Sequence, residues 1–242
     1  MIIYLIRHGR QSSSACNVDV PLAEAGKQQA ALLGKRMANY PVDALYCSNL
    51  MRAEETAKIA FWDRPELVDC IQIRPGLAEM DFGSLTGMPD PKVKQFYADY
   101  YEEQHELFSK NGPATGSALD EVNTFVGKFF VPPKEMSYPE GENCAQVMKR
   151  LMPVVQEWIH SGKEHIAVVC HGGVIRVLLS ALFGGDFAKR LQFGTSLENC
   201  SITQIHYDET LNGFYLDRFN DAAHLEGHPE LSRGVWKENQ RF

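Results

Sequence analysis

The sequence predicts an α/β protein, a three-layer sandwich in which helices cover both faces of a mostly parallel central sheet. Short apolar runs typical of buried strands, at residues 2–6, 44–47 and 166–170, alternate along the chain with segments of helical composition. A chain of 242 residues that is 44% hydrophobic can bury one substantial core, so we expect a single domain over residues 1–242.

Residues 2–6 form the first predicted strand, and Arg7, His8 and Gly9 follow it at once. Open α/β sheets bind ligands at the carboxyl ends of their strands. A histidine there can accept a transferred group, and a neighbouring guanidinium can hold an oxyanion through paired hydrogen bonds. Alone, however, such a tripeptide more often just begins a polar loop.

The second strand, residues 44–47, follows a helix predicted from Glu24 to Tyr40. It ends at Ser48, a residue type that suits the N-cap of the next helix. Arg52 would then lie near the first turn of that helix, close to the carboxyl end of the strand. This strand end therefore also supplies a cationic side chain.

The third strand, residues 166–170, ends in His171, Gly172 and Gly173 before an apolar stretch of helical length. Glycines between a strand and a helix let backbone N–H groups approach an anion, and the start of the helix adds a favourable dipole. A solvated strand end is the simpler explanation of any one of the three strand ends, yet it explains all three poorly. Together they predict a cluster suited to binding phosphate.

An acid is predicted in the segment from Leu77 to Gly87, which follows a Pro-Gly pair and therefore favours a loop. A carboxyl group screened from water can stay protonated and give its proton to a leaving-group oxygen. Glu79 is the expected donor, and Asp81 in the same segment is the alternative.

Further elements complete the prediction. A helix from Glu142 to His160 is expected to bend at Pro153. Residues 201–207 and 213–217 are expected to form a hairpin-like pair of strands. The stretch of about 88–138 is expected to be a helical insertion that forms a lid over the site, with an inert surface insertion as the alternative.

These segments resemble the histidine phosphatase superfamily, in the branch that includes cofactor-dependent phosphoglycerate mutases. The matches run in family order along nearly the whole chain and are interrupted mainly between residues 88 and 137. They comprise Leu5 to Gly9, Pro21-Leu22 with Gly26, Ser48 to Ala53 with Thr56-Ala57, Leu77 to Gly87, Pro139 to Glu142, His171 to Gly173, and Asn220 to Leu225. Any one match is weak, but the ordered set is highly specific.

The resemblance implies that His8 is the phosphorylated nucleophile and Glu79 the proton donor. It also implies a phosphate pocket built from Arg7, Arg52 and His171. The expected ligand is a small phosphorylated substrate, with no metal and no other cofactor. A zinc hydrolase that uses the two histidines and a carboxylate is disfavoured, because the two arginines would repel the cation.

The sequence departs from the family pattern at one expected phosphate contact. The family usually has an Asn seven positions after the first Arg, and that place is occupied here by Ser14. Asn17 follows in a loop that is shortened before Pro21. Either side chain could donate to phosphate, and we favour Asn17. Gly172 is the expected backbone contact.

A phosphomonoester hydrolase that acts through phosphohistidine is favoured over a mutase. We call the segment Leu77 to Gly87 the acid loop. Mutases of this family typically carry a basic segment with paired arginines after this loop, and the arginines bind the carboxylate of phosphoglycerate. Residues 88–137 of this chain contain lysines, among them Lys92 and Lys94, but no arginine. A phosphoglycerate-mutase-type phosphotransferase stays the alternative.

Two other classes of protein fit the sequence less well. Cys170 and Arg176 have the spacing of a thiol phosphatase, but valines flank them where that family has His and Ser or Thr. A non-catalytic module that binds phosphorylated ligands could lose the nucleophile or the acid, whereas this chain retains His8 and Glu79.

Composition favours a cytoplasmic protein. The net charge of −7 argues against nucleic acid or an anionic membrane as a partner. The N-terminal apolar run reaches Arg7 too soon for a signal peptide, and no run approaches membrane-spanning length. The six cysteines lack the spacing of a metal site or a disulfide framework, as expected in a reducing compartment. A homodimer is compatible with the sequence.

Overall fold

The computed structural model describes residues 1–111, 135–194 and 196–233. Its strands are β1 (Ile2–Arg7), β2 (Ala44–Cys47), β3 (Gln72–Ile73), β4 (His165–Cys170), β5 (Ile202–Asp208) and β6 (Gly213–Asp221). They form one sheet in the order β3-β2-β4-β1-β5-β6, in which the first four strands are parallel and β5 runs antiparallel to both of its neighbours. The mostly parallel sheet and the late hairpin are therefore confirmed.

The helices are α1 (Glu24–Met37), α2 (Met51–Ala60), α3 (Pro65–Asp69), α4 (Asp90–Asn111), α5 (Cys144–His160) and α6 (Gly172–Leu182). Successive side chains of a strand point to opposite faces, so β1 serves two cores. Ile3 and Leu5 pack with α5 and α6 on one face, whereas Tyr4 and Ile6 pack with α1 and α2 on the other. This arrangement confirms the three-layer sandwich.

The start of α2 differs from the prediction. Leu50 occupies the N-cap position, so the expectation that Ser48 caps this helix was wrong. Ser48 is buried at the end of β2, two residues too early to cap α2, and its Oγ accepts a hydrogen bond from the backbone N–H of Leu50 at 3.2 Å. Its hydroxyl is thereby placed at the sheet edge, where it meets the side chain of His171.

The helix predicted from Glu142 begins two residues later, at Cys144. Asn143 is the N-cap, and it forms a reciprocal capping box with Gln146 that satisfies two backbone N–H groups at the helix start. Pro153 lies inside the helix as expected. Glu142 stays outside the helix because its carboxylate binds Arg150 and the acid loop.

Helix α4 occupies the first part of the expected insertion, and its aromatic rings contact Tyr138, which links the helix to the acid loop. Tyr97 and Tyr138 share a hydroxyl–hydroxyl hydrogen bond of 2.7 Å, and Tyr138 stacks on Phe82 with 4.4 Å between ring centroids. The lid expected over about 88–138 extends through residues 112–134, which lie outside the described residues. Among the helices that are described, none is both long and apolar enough to cross a membrane.

An ion-pair cluster fastens the end of the sheet to α1. Arg36 forms a paired salt bridge with Asp221, which also lies 3.2 Å from Arg218. His224 follows in the next turn, and its Nδ1 lies 3.5 Å from Arg36 Nη1. Burial, together with the positive charge of Arg36, lowers the pKa of His224 to about 4.

This low pKa predicts a pH-dependent contribution to stability. Below pH 6.5 the unfolded chain protonates His224 while the folded protein keeps it neutral, so acid favours unfolding until the pH falls to about 4. His224→Gln removes the histidine and with it this pH-dependent contribution. Between pH 7 and pH 5 we expect the free energy of unfolding of the variant to rise by about 1–2 kcal/mol relative to that of wild type. Urea unfolding at both pH values measures the gain, and an unchanged difference between the two proteins would contradict it.

Candidate active site

His8 lies at the carboxyl end of β1, where its backbone N–H donates to the Cys170 carbonyl at 3.0 Å. Its side chain is only 5% exposed, and Nδ1 lies 2.7 Å from the Gly9 carbonyl oxygen. A carbonyl only accepts, so Nδ1 carries the proton and Nε2 keeps a lone pair. Burial, followed by the charges of Arg7 and Arg52, lowers the pKa of His8 well below its ordinary value. The imidazole is therefore neutral at pH 7.

The loop before β5 fixes the backbone on which His8 stands. Asn199 Nδ2 donates to the His8 carbonyl at 2.8 Å, and the Cys200 backbone N–H donates to the Arg7 carbonyl at 3.0 Å. The Leu197 carbonyl accepts a hydrogen bond from Arg7 Nη1. Nothing in the local pattern of these residues marked them as part of the site.

Arg52 approaches His8 from the first turn of α2 and is 2% exposed. Its Nε donates to His8 Nε2 at 3.3 Å, while Nη1 donates to the Val18 carbonyl at 3.0 Å and Nη2 to Asn17 Oδ1 at 3.1 Å. Each nitrogen of the fork thus has its own acceptor. The guanidinium plane is held in one orientation beside the unprotonated ring nitrogen of His8.

His171 is fully buried at the end of β4, with its ring centroid 5.0 Å from that of His8. Its Nε2 lies 2.8 Å from Ser48 Oγ. Because Ser48 already accepts from a backbone N–H, its hydroxyl hydrogen can point to Nε2, and we assign the proton of neutral His171 to Nδ1. Burial, followed by His8 and the two arginines, lowers the pKa of His171 well below its ordinary value.

Two buried donors of the pocket, Arg7 Nε and His171 Nδ1, have no hydrogen-bond partner among the described residues. A buried polar group without a partner costs free energy, which an incoming oxyanion would recover. The N-terminus of α6 adds its dipole here, since a Cβ on Gly172 would lie 3.4 Å from Arg7 Nε.

Glu79 lies against the start of α6, as the predicted position of an acid requires. Its Oε2 accepts from the Gly173 backbone N–H at 3.2 Å and its Oε1 from that of Met80 at 2.9 Å. A Cβ on Gly173 would stand 2.5 Å from Oε1, so a larger residue there would displace this carboxyl group from its position. Asp81 is exposed and accepts from the Gly83 backbone instead. Of the two candidates, Glu79 is the one at the pocket.

Arg150 of α5 supports the acid loop from behind. It donates to the carbonyl oxygens of Gly76 at 2.6 Å and Glu79 at 3.2 Å, and it forms a paired salt bridge with Glu142. Glu142 in turn accepts from the Asp81 backbone N–H at 2.9 Å. Glu142 belongs to the segment Pro139 to Glu142 that resembles the family, whereas no feature of the sequence predicted a role for Arg150.

The two candidates for an additional phosphate contact are placed differently. Ser14 is exposed. Asn17 lies at the pocket with a left-handed backbone (φ 47°), and its side chain joins Arg52 to the acid loop by donating to the Met80 carbonyl at 3.0 Å. Its amide therefore orients Arg52, and whether either residue contacts phosphate stays a prediction.

Removing the side chain of Asn17 should weaken this link. We expect Asn17→Gly, which tolerates the left-handed backbone, to lower kcat/KM for p-nitrophenyl phosphate roughly tenfold or more, the worth of a hydrogen bond to a charged group. Asn212→Gly is the matched control, because Asn212 has the same φ of 47° in the β5–β6 turn. Equal activity of the two variants would contradict the role assigned to Asn17.

Cys170, the alternative nucleophile, is 1% exposed, and burial raises the pKa of its thiol to about 12. A thiol in this state supplies almost no thiolate at pH 7. In the part of the chain that the structure covers, no three His, Cys, Asp or Glu side chains are grouped as metal ligands.

Comparisons with known proteins identify the family of the chain. A family model described as the histidine phosphatase superfamily, branch 1, matches residues 3–130 and 111–222. A probable phosphatase of Schizosaccharomyces pombe is 28% identical over 238 residues, which cover 93% of this chain and 96% of that protein. A probable phosphoglycerate mutase of Yersinia pestis is 26% identical over 240 residues, with 93% and 94% covered.

Solved structures show the same fold. YhfR of Bacillus stearothermophilus superposes with a TM-score of 0.68 at 24% identity, over 93% of this chain and 99% of that one. A mycobacterial glucosyl-3-phosphoglycerate phosphatase in complex with inorganic phosphate gives 0.68 at 21% identity, over 92% and 98%. The family model spans most of the sequence, and the chain therefore belongs to branch 1 of the histidine phosphatase superfamily.

Proposed function

We propose that the protein is a phosphomonoester hydrolase that passes the phosphoryl group of a small phosphorylated metabolite to His8 and then to water. One observation carries this proposal. His8 is neutral, is held through Nδ1 by the Gly9 carbonyl, and keeps the Nε2 lone pair beside the buried guanidinium of Arg52. A nucleophile needs that lone pair, and a phosphate needs that charge.

In the first step the Nε2 lone pair of His8 attacks phosphorus and the ester P–O bond breaks. Glu79 gives its proton to the departing oxygen, so the alcohol leaves neutral. Arg7, Arg52 and the Nδ1 proton of His171 stabilise the negative charge on the three phosphoryl oxygens. In the second step Glu79 takes a proton from water and the water oxygen forms a bond to phosphorus. The P–N bond breaks, its electron pair returns to His8 Nε2, and inorganic phosphate leaves.

Trapping the intermediate tests the proposal. Protein quenched during turnover of a labelled phosphomonoester should carry phosphate that is stable to alkali and labile to acid, and peptide mapping should place it on His8. Label on Cys170 or on Ser48 would overturn the assignment.

The mutase alternative shares the first step and differs in the acceptor. Residues 88–137 carry no arginine that could grip a phosphoglycerate carboxylate in the family's manner, which favours water as acceptor. Incubation with 3-phosphoglycerate should release inorganic phosphate. Isomerisation to 2-phosphoglycerate that outpaces phosphate release would favour the mutase.

Glu79 is proposed as the proton donor, and its effect should depend on the leaving group. We expect Glu79→Gln to slow hydrolysis of alkyl phosphates roughly 10²–10⁴-fold and of p-nitrophenyl phosphate much less, because nitrophenolate leaves without a proton. Asp81→Asn is the control and should change neither. Equal slowing of both substrate classes by Glu79→Gln would indicate a positional role instead.

Helix α4 is proposed as the described part of a lid over the site, supported by the contacts of its Phe96 and Tyr97 rings with Tyr138. A cytoplasmic location is supported by the cysteines, all six of which are free thiols. A homodimer stays a prediction.

A further inference from the structure

The last described residues, 231–233, which we call the tail segment, are fastened against the site. The side chain of Leu231 is buried, and its carbonyl accepts from Gln29 Nε2 at 2.7 Å and Arg10 Nη2 at 3.3 Å. The backbone N–H of Arg233 lies 3.0 Å from each carboxylate oxygen of Glu198. Gln29 is fully buried and Glu198 is 5% exposed, so both anchors belong to the rigid interior.

Glu198 connects the tail segment to the phosphate pocket. The residue before it, Leu197, accepts the hydrogen bond of Arg7, and the residue after it, Asn199, donates to the backbone of His8. The three consecutive residues 197–199 thus hold the nucleophile, the first arginine and the tail segment at once. The position of the tail segment is fixed relative to the reacting atoms.

Anchoring uses the backbone of Arg233 and leaves its side chain exposed. Its charge nonetheless acts on the pocket. Burial lowers the pKa of Arg7, and Arg233 is the next largest cause. Arg233 also contributes to the lowered pKa of His8, after burial and the two pocket arginines. The guanidinium is therefore close enough to the pocket to act on it, while remaining accessible to a ligand.

The exposed guanidinium of Arg233 adds a third positive charge to those of Arg7 and Arg52. The two pocket arginines match the charge of a phosphate dianion, and both histidines are neutral. Glu198 and Asp90 are the carboxylates whose charges act on Arg233, and Glu198 accepts from the backbone N–H groups of Asn199 and Arg233. The side chain of Arg233 is therefore placed to pair with a second anionic group of a ligand bound at the pocket.

We propose that Arg233 binds a second anionic group of the substrate, a carboxylate or another phosphate. The preferred substrates are then phosphomonoesters that carry a further negative charge near the transferred phosphate. This inference rests on the proposed phosphatase function.

Arg233→Gln tests it, because the variant loses the charge and keeps the backbone anchor. Two matched pairs of probes distinguish the anions: 3-phosphoglycerate against glycerol 3-phosphate, and fructose 1,6-bisphosphate against fructose 6-phosphate. We expect kcat/KM for the doubly anionic member of at least one pair to fall tenfold or more, mainly through KM. For the singly charged member, p-nitrophenyl phosphate and the Ki of inorganic phosphate, the change should be several-fold smaller, because the transferred phosphate keeps Arg7 and Arg52. For a probe that turns over too slowly, its Ki against p-nitrophenyl phosphate replaces kcat/KM.

Two control variants accompany the test. Lys35→Gln removes the same charge from an exposed position on α1 and should change none of these constants. Arg233→Lys keeps the charge but loses the planar fork, and it should fall between wild type and Arg233→Gln.

Three results would decide against the inference or its foundation. Equal losses for every probe would show that Arg233 acts on the transferred phosphate, and no loss for either doubly anionic probe would show that it binds no second anion. Both overturn the inference. Failure of the wild type to hydrolyse p-nitrophenyl phosphate or to label His8 would instead overturn the proposed function, since neither measurement involves Arg233.

Discussion

Replacing His8 with alanine is expected to lower kcat by about 10⁴-fold or more, the usual cost of losing a covalent nucleophile. The nearest other imidazole cannot substitute, because His171 Nε2 is engaged by Ser48 and its Nδ1 is assigned the proton. Initial rates with p-nitrophenyl phosphate measure the loss. The labelled phosphate trapped on the wild-type chain should be absent from the variant.

The fold should survive this substitution. His8 is anchored through its backbone, by its N–H to Cys170 and by its carbonyl to Asn199, and alanine retains both groups. Circular dichroism and thermal unfolding are the controls. A folded His8→Ala protein with more than about a tenth of wild-type activity would contradict the role of His8, a loss far smaller than removal of a nucleophile causes.

Arg52→Lys is expected to lower kcat/KM by about 10²-fold or more even though the charge is kept. Arg52 uses three nitrogens on three acceptors, from His8, Val18 and Asn17. A single ammonium group cannot hold this geometry or present a planar fork to two phosphoryl oxygens. Steady-state kinetics with p-nitrophenyl phosphate measure the loss, and Arg7→Lys should fall in the same direction.

Arg64→Lys is the matched control for Arg52→Lys. Arg64 also donates through both terminal nitrogens, to the carbonyl oxygens of Tyr40 and Met37, but it does so away from the site. This control should keep wild-type kinetics at some cost in stability. Near-normal kinetics in Arg52→Lys would count against the proposed pocket.

The sequence alone determined the architecture and the side chains at the centre of the site. Strands β1, β2 and β4 are short apolar runs, whose length and flanking polar residues favour a buried strand over a helix. These three strands are parallel neighbours, so their carboxyl ends meet at one edge of the sheet. Arg7, Arg52 and His171 could therefore be grouped before any contact was known.

The sequence was less informative wherever a side chain has a local role and a distant one. Ser48 is a good N-cap by residue type, but its hydroxyl is bound to His171, 123 positions away. Asn17 suits a phosphate donor, but both ends of its amide are held by other parts of the site. Local preference amounts to about 1 kcal/mol, which one buried hydrogen bond can outweigh.

Only the tertiary structure decided what surrounds the central residues. Asn199 reaches the backbone of His8 across 191 positions, and Glu198 holds Arg233 across 35. These contacts arise because β5 pairs antiparallel to β1 and returns the loop before it to the edge where β1 ends. Neither the period of apolar residues nor the spacing of motifs predicts such contacts. Each partner is a single polar residue, and its role depends on where the rest of the chain lies in the folded protein.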